Sequence, residues 1–289
     1  MVILVTGARG LLGNDLCKVL SEDHKVIPLG IEELDVTLPE TIQLIKGYSP
    51  NLVCHLAAYT DVDGCEKDPE KAFLVNKEGT RNVTLGCKKA EVPILYLSTD
   101  YLFDGEKGEP YQESDPPNPI NVYGRSKLEG EKVIQENLKE YFIVRSSWLF
   151  GKGGKNFVDI VLKLADERKV LEVVTDQVGC PTYTPDLSSA LKRLMDSRGI
   201  PPKAGPCPFG IYHITNSGSC SWYDFAKKIF ELAGIEDCRL LKTDSAHYPR
   251  PAKRPSYSVL DSSHFQEVAG SSLRSWEEAL KEYLQKRVE

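Results

Sequence analysis

Val2-Ile3-Leu4-Val5-Thr6-Gly7-Ala8-Arg9-Gly10-Leu11-Leu12-Gly13 decides the fold. Val2 to Thr6 is apolar and β-branched without alternation, the pattern of a strand covered on both faces. The glycines that follow are spaced G-x-x-G-x-x-G, and Leu11 to Leu20 then reads as a helix. Between a strand and a helix, Gly7 and Gly10 let the backbone approach a pyrophosphate, and Gly13 lets the helix press against the sheet. The helix N-terminus adds free N–H groups and the positive end of its dipole. No Gly-Lys-Ser/Thr follows, which speaks against a P-loop. A glycine turn alone says only that the chain turns; in this setting it favours a dinucleotide.

Working outward, further strands are expected at residues 25–29, 52–56, 93–98 and 141–146. Helices are expected at residues 39–46, 68–90 (with Asp68-Pro69 as cap and first turn) and 123–138. Such alternation implies parallel pairing with right-handed crossovers, a doubly wound α/β sheet of Rossmann type. After Gly151 the rhythm breaks. Residues 151–154 and 199–209 read as loops, between helical patches at 157–166, 186–196, 221–233 and 275–287 and short strands at 171–175 and 210–214. The expected division is a dinucleotide-binding domain over residues 1–150 and a smaller mixed lobe over 151–289, mainly substrate-binding and fused to the main sheet.

Composition narrows the function. With 41% hydrophobic and 27% charged residues the 289-residue chain is globular, not disordered. Its 36 Lys+Arg against 42 Asp+Glu give a net charge of -6, which argues against nucleic acid or anionic lipid as a partner. No apolar run approaches the ~20 residues of a membrane-spanning helix. The first strand begins at Met1, so no cleavable leader is expected and a cytoplasmic location is. Cys17, Cys54, Cys65, Cys87, Cys180, Cys207, Cys220 and Cys238 form no C-x-x-C pair and stand at no zinc-finger spacing from a histidine. They read as reduced thiols, and no metal site is expected.

Other segments fit the same ligand. Asp35, in Leu34-Asp35-Val36, is placed to accept a bond from an adenine amino group or to cap the helix ahead. Ala57, Ala58 and Tyr59 end a strand with small residues at the edge where open α/β sheets bind ligands. Gly30-Ile31-Glu32-Glu33 offers carboxylates where an NADPH site presents Arg or Lys, and Arg9 is the nearby cation. The choice between NADH and NADPH stays open. In Tyr123-Gly124-Arg125-Ser126-Lys127, Tyr123 and Lys127 stand at i and i+4 and share a helix face. A cation beside a phenol stabilises phenolate, making Tyr123 a usable proton donor and acceptor. Thr99, in Leu97-Ser98-Thr99-Asp100-Tyr101-Leu102-Phe103, places a hydroxyl at the ligand edge of another strand.

Taken together these motifs resemble the extended short-chain dehydrogenase/reductases, and within them the dTDP-4-dehydrorhamnose reductase family. The similarity runs through residues 57–63, 98–105 and 123–127, Arg145-Ser146-Ser147-Trp148, Asp176-Gln177-Val178-Gly179-Cys180-Pro181-Thr182, residues 210–213 and Ala252-Lys253-Arg254-Pro255. It implies reduction of the 4-keto group of dTDP-4-dehydro-β-L-rhamnose by hydride from NADP(H), with NAD(H) not ruled out by the residues. It also implies that Tyr123 gives a proton, Thr99 orients the carbonyl and Lys127 holds the nicotinamide ribose. Asp100, Tyr101, Phe103 and Trp148 would line the sugar pocket, with Asn156 near the nucleotide and Arg254 a pyrophosphate partner. A homodimer is compatible with the resemblance. Two other readings stand beside it: a dinucleotide-binding regulatory subunit similar to the β subunit of methionine adenosyltransferase, and a reductase of another nucleotide-linked 4-keto sugar.

Overall fold

The computed structural model describes residues 1–196 and 208–288; the loop expected at 199–209 lies, up to residue 207, outside the described residues. The first half runs β1 (Val2–Thr6), α1 (Leu11–Leu20), β2 (Lys25–Leu29), α2 (Thr41–Tyr48) and β3 (Leu52–His55). Then come α3 (Val62–Lys67), α4 (Pro69–Phe73), a π-helical turn (Leu74–Gly79), α5 (Thr80–Ala90), β4 (Ile94–Thr99), a single 3-10 turn (Asp100–Leu102), α6 (Val122–Asn137) and β5 (Tyr141–Ser146). The second half begins with β6 (Leu149–Phe150), α7 (Phe157–Glu167), β7 (Val170–Val174), β8 (Val178–Gly179), β9 (Thr182–Tyr183) and α8 (Thr184–Asp196). It continues with β10 (Gly210–His213), β11 (Cys220–Ser221), α9 (Trp222–Ala233), β12 (Arg239–Thr243), α10 (Ser263–Ala269) and α11 (Trp276–Val288).

Six strands form one parallel sheet in the order β2-β1-β3-β4-β5-β10. The edge strand β2 carries Pro28, which an edge tolerates because one row of its N–H groups has no partner strand to meet. Side chains of β1, β4 and β5 that face one way (Ile3, Val5, Leu95, Phe142, Val144) pack with Leu12 and Leu16 of α1 and Leu187, Leu191 and Leu194 of α8. Those facing the other way (Leu4, Ile94, Tyr96, Ile143) meet Ile45, Val83, Cys87 and Ile134 from α2, α5 and α6. The result is three layers. Strand order reverses between β1 and β3, and it is at such a switch point that a crevice opens at the strands' C-terminal ends.

A second core gathers Phe150, Val158, Val161, Leu171, Val173, Phe225, Ile229, Leu280 and Tyr283, from α7, α9, α11 and the strands between them. Residues 151–289 are not confined to it, because β10 pairs with β5 and α8 packs on α1. The helix expected over residues 68–90 runs without interruption from Pro69 to Ala90 but contains the π-helical turn, with α3 as an extra short helix before it. Asp68 caps α4, its carboxylate accepting from Lys71 N at 3.0 Å. The turn aims Asn76 at the chain beyond β3: Tyr59 N donates to Asn76 Oδ1 at 2.8 Å, and Asn76 Nδ2 donates to Tyr59 O at 3.1 Å and Ser126 Oγ at 2.9 Å. No helix among the described residues is long and apolar enough to cross a membrane.

Candidate active site

A cleft of about 980 Å³ opens at the switch point. Gly7 follows β1 with φ +66°, and a Cβ there would stand 2.7 Å from Ala57 N, so the chain ends beyond β1 and β3 approach as only glycine permits. At Gly13 a Cβ would meet Gly7 O at 2.3 Å, which is why α1 can sit so close to the turn. Gly7, Arg9, Gly10, Leu11, Leu12 and Gly13 all line the cleft, as do Asp35, Val36, Ala57 and Ala58. A backbone cradle at a helix N-terminus, with no side chain filling it, fits the pyrophosphate of a dinucleotide. Behind it, Thr6 Oγ1 and His55 Nδ1 lie 2.8 Å apart and His55 Nε2 and Thr80 Oγ1 3.1 Å apart. Burial pushes His55 down to about 3, so it serves as a neutral link.

Asp35 lines the cleft and does not cap α2, which starts at Thr41 after Glu40; Thr37 N and Thr37 Oγ1 donate to its Oδ1 at 2.9 and 2.7 Å. Tyr59 stands behind the wall, packed with Cys65, Ala72 and Val122. Arg9 is held by carboxylates, Glu32 at 3.3 Å and Glu33 in closer contact, and Glu33 also accepts from Gly30 N at 2.9 Å.

At the other end of the cleft Thr99, Asp100, Tyr101, Tyr123 and Trp148 share the wall. Thr99 Oγ1 accepts from Tyr101 N at 3.2 Å and donates to Asp100 Oδ1 at 3.1 Å. Ser258 Oγ donates to Asp100 Oδ2 at 2.5 Å. Burial raises the Asp100 carboxyl to about 7 against these bonds. It also raises the Tyr123 phenol, with a hydrogen bond to Thr99 working the other way. Lys127, on the same helix, is buried; its Nζ donates to Leu97 O at 2.8 Å and lies 4.0 Å from the centroid of the Tyr96 ring. Burial lowers it to about 7 while the Glu131 charge opposes.

A model of the RmlD substrate-binding domain family matches residues 1–288. The chain belongs to that family. Within reach of this RmlD-family chain is the spore coat polysaccharide biosynthesis protein SpsK of Bacillus subtilis, 42% identical over 99% of this chain and 97% of SpsK. The dTDP-4-dehydrorhamnose reductase of Streptomyces griseus is also 42% identical, over 96% of this chain and 91% of that protein. A crystal structure of dTDP-4-dehydrorhamnose reductase from Bacillus anthracis in complex with NADP superposes with a TM-score of 0.92 at 37% identity, covering 99% of each chain.

Three residues expected in the substrate pocket of this family member stand elsewhere. Phe103 is fully buried, stacked on Tyr111 with centroids 4.1 Å apart, because the chain turns at residues 100–102 and sends it inward. Asn156 caps α7, its Oδ1 accepting from Asp159 N at 3.1 Å and its Nδ2 donating to Gly151 O at 3.0 Å. Arg254 lies behind Tyr101, its Nη1 donating to Asp63 Oδ1 at 2.9 Å. In turn the cleft takes in Lys71, Val75, Ser98, Ser146, Lys155 and Trp222, to which sequence alone assigns no role, although Ser98 and Ser146 stand in segments that carry the resemblance. Ser98 and Ser146 keep buried hydroxyls with no hydrogen-bond partner among the described residues, donors left over for a ligand.

Proposed function

We propose that this protein is an NADP(H)-dependent oxidoreductase that reduces the 4-keto group of dTDP-4-dehydro-β-L-rhamnose to dTDP-β-L-rhamnose. One observation carries the reading: a glycine cradle and a Thr99–Tyr123 hydroxyl pair face a single cleft. When bound, a reduced nicotinamide supplies the hydride. The chain's own residues do the rest. Gly7, Gly10 and Gly13 with the first turn of α1 hold the pyrophosphate, and Asp35, Val36, Ala57 and Ala58 border the adenosine half. Tyr123 Oη gives its proton to the oxygen at C4 as that oxygen gains charge, and Thr99 Oγ1 orients the carbonyl. Lys127, one turn further along α6 with its Nζ on Leu97 O, is the residue that would hold the nicotinamide ribose. Asp100, Tyr101 and Trp148 form the sugar side. Residues 1–150 carry the cofactor half, and most of 151–289 the substrate half. The NADP complex of the Bacillus anthracis relative supports NADP(H); because Glu32 and Glu33 occupy Arg9, NADH belongs in the assay beside NADPH. Among the described residues the cysteines form no disulfide, Cys207 lying outside them, which accords with action in the cytoplasm.

The test is purified protein with freshly generated dTDP-4-dehydro sugar and NADPH or NADH, followed by loss of nicotinamide absorbance. Tyr123→Phe is expected to keep its affinity for the cofactor and lose at least ~10²-fold in kcat, the lower range for a positioned acid–base group. Near-normal turnover in that variant removes Tyr123 from its role.

A further inference from the structure

Trp222, the first residue of α9, has no part in the chemistry above, yet it borders the cleft beside Trp148. The two indoles are face to face, centroids 3.4 Å apart and planes 4° from parallel. Aromatic pairs left to themselves prefer offset or edge-on arrangements, so this one is imposed by the backbones that carry it. Trp148 has φ +47°, in the left-handed region that a bulky side chain rarely enters and that persists only where its surroundings hold it. Thr182 N donates to Trp148 O at 3.2 Å and holds the backbone, and two neighbours hold the ring. Gly179 lies against the indole of Trp148, where a Cβ would come within 2.6 Å of the ring; the glycine of Asp176-Gln177-Val178-Gly179 is there to admit it.

Trp222 is the other neighbour, and it is fixed from several sides. The antiparallel pairing of β11 with β8 sets Cys220 opposite Gly179 and Ser221 opposite Val178, so the chain enters α9 at Trp222 alongside Gln177. Trp222 N donates to Gln177 O at 3.3 Å. Ser221 Oγ caps α9 by accepting from Asp224 N at 3.0 Å. Phe157 packs on the Trp222 ring at 4.4 Å.

We propose that Trp222 is a positioning residue: by stacking on Trp148 it holds that strained indole as a fixed wall for the deoxyhexose ring of the nucleotide sugar. The inference rests on the functional reading given above. Without the stack Trp148 relaxes toward an ordinary backbone conformation and the wall recedes. The glycine cradle is built from other elements and keeps its shape. A wall that serves ground state and transition state alike acts on KM and spares kcat.

The chain has three tryptophans, and the third, Trp276, is buried edge-on against Phe225. The stacked pair is therefore readable as an exciton couplet in far-ultraviolet circular dichroism. Trp222→Ala is expected to lose the couplet, raise KM for the sugar nucleotide about tenfold or more, hold kcat within about threefold, and leave NADPH affinity by nicotinamide fluorescence unchanged. Trp222→Phe, which keeps a ring to stack on, restores most of the KM while the couplet stays absent. An alanine variant with no couplet and a wild-type KM overturns the proposal, as does a fall in kcat at constant KM. Should Trp222→Ala fail to fold, shown by lost NADPH binding, Trp222→Leu fills the space without a ring and is read by the same outcomes. A wild type that neither binds dTDP nor reduces the sugar overturns the functional reading and this inference with it; one that does both while Trp222→Ala matches its KM overturns the inference alone.

Discussion

Asp100 shows what a single side chain in this cleft costs and supplies. It is fully enclosed, bonded by Thr99 and Ser258, and its carboxyl is raised to about 7 by burial. An unfolded aspartate releases its proton near ~4, so between there and neutrality the folded state binds a proton that the unfolded chain does not. The contribution to stability is fully present below the unfolded value and is lost as pH rises through about 7. Asp100→Asn cannot ionise. Its melting temperature relative to wild type is expected to rise as pH goes from about 5 to about 8, and parallel slopes for the two proteins would refute the assignment. At this scale legibility was uneven. Thr99 and Tyr123 were readable because strand-end position and i, i+4 spacing translate directly into direction. Phe103 was not, because one 3-10 turn after Thr99 reverses which way the chain faces. Trp222 had no periodic signature at all, being the first residue of a helix whose role depends on a strand pairing far away in sequence.

At the scale of the element, α6 depends on its N-cap. Asn121 is fully buried; its Oδ1 accepts from Gly124 N at 2.8 Å and its Nδ2 donates to Lys253 O at 2.9 Å. Glu66 accepts from Val122 N at 2.7 Å, satisfying another free donor of the same turn. Gly124 runs against Tyr101 O and Gly130 against the Tyr96 hydroxyl, where a Cβ would come within 2.0 and 2.5 Å, so the helix cannot slide to compensate. Asn121→Ala removes both the cap and the bond to Lys253 O, an expected loss of about 2 kcal/mol in urea unfolding. Tyr123, two positions on, should lose kcat with it; an alanine variant as stable and active as wild type would show that the cap is dispensable. Sequence placed this helix, and the helical run at 68–90, within a residue of their true starts, but not the π-helical turn inside that run. The turn lets Asn76 meet both Tyr59 and Ser126, a tertiary contact that local propensity does not encode.

For the whole molecule, strand alternation made the doubly wound sheet legible, but not how deeply the second half is built into it. The sheet is closed at one edge by β10, whose Gly210 to His213 pair with Phe142 to Arg145 of β5. One face of that sheet is covered by α8, whose Leu187, Leu191, Leu194 and Met195 share a core with Ile3, Leu16 and Phe142. Arg145 itself forms a buried pair with Glu131 at 2.8 Å, and its Nη1 lies 3.4 Å from His213 Nε2. Also from the second half, Arg250 and Arg254 meet Asp63 at 3.0 and 2.9 Å, and Ser256 Oγ donates to Gly105 O at 3.0 Å. A fragment of residues 1–150 would thus expose Phe142 and Val144, open a buried ion pair to water and lose the straps that fix Asp63, Asn121 and Asp100. Exposed apolar surface of that kind is ordinarily incompatible with a cooperative fold in a marginally stable domain. The fragment is therefore expected to show weak near-ultraviolet circular dichroism, no sharp thermal transition and no nicotinamide fluorescence enhancement with NADPH. A fragment that melts cooperatively and binds NADPH would make residue 150 a real physical boundary, and the contacts of β10 and α8 a dispensable addition to a cofactor domain able to stand alone.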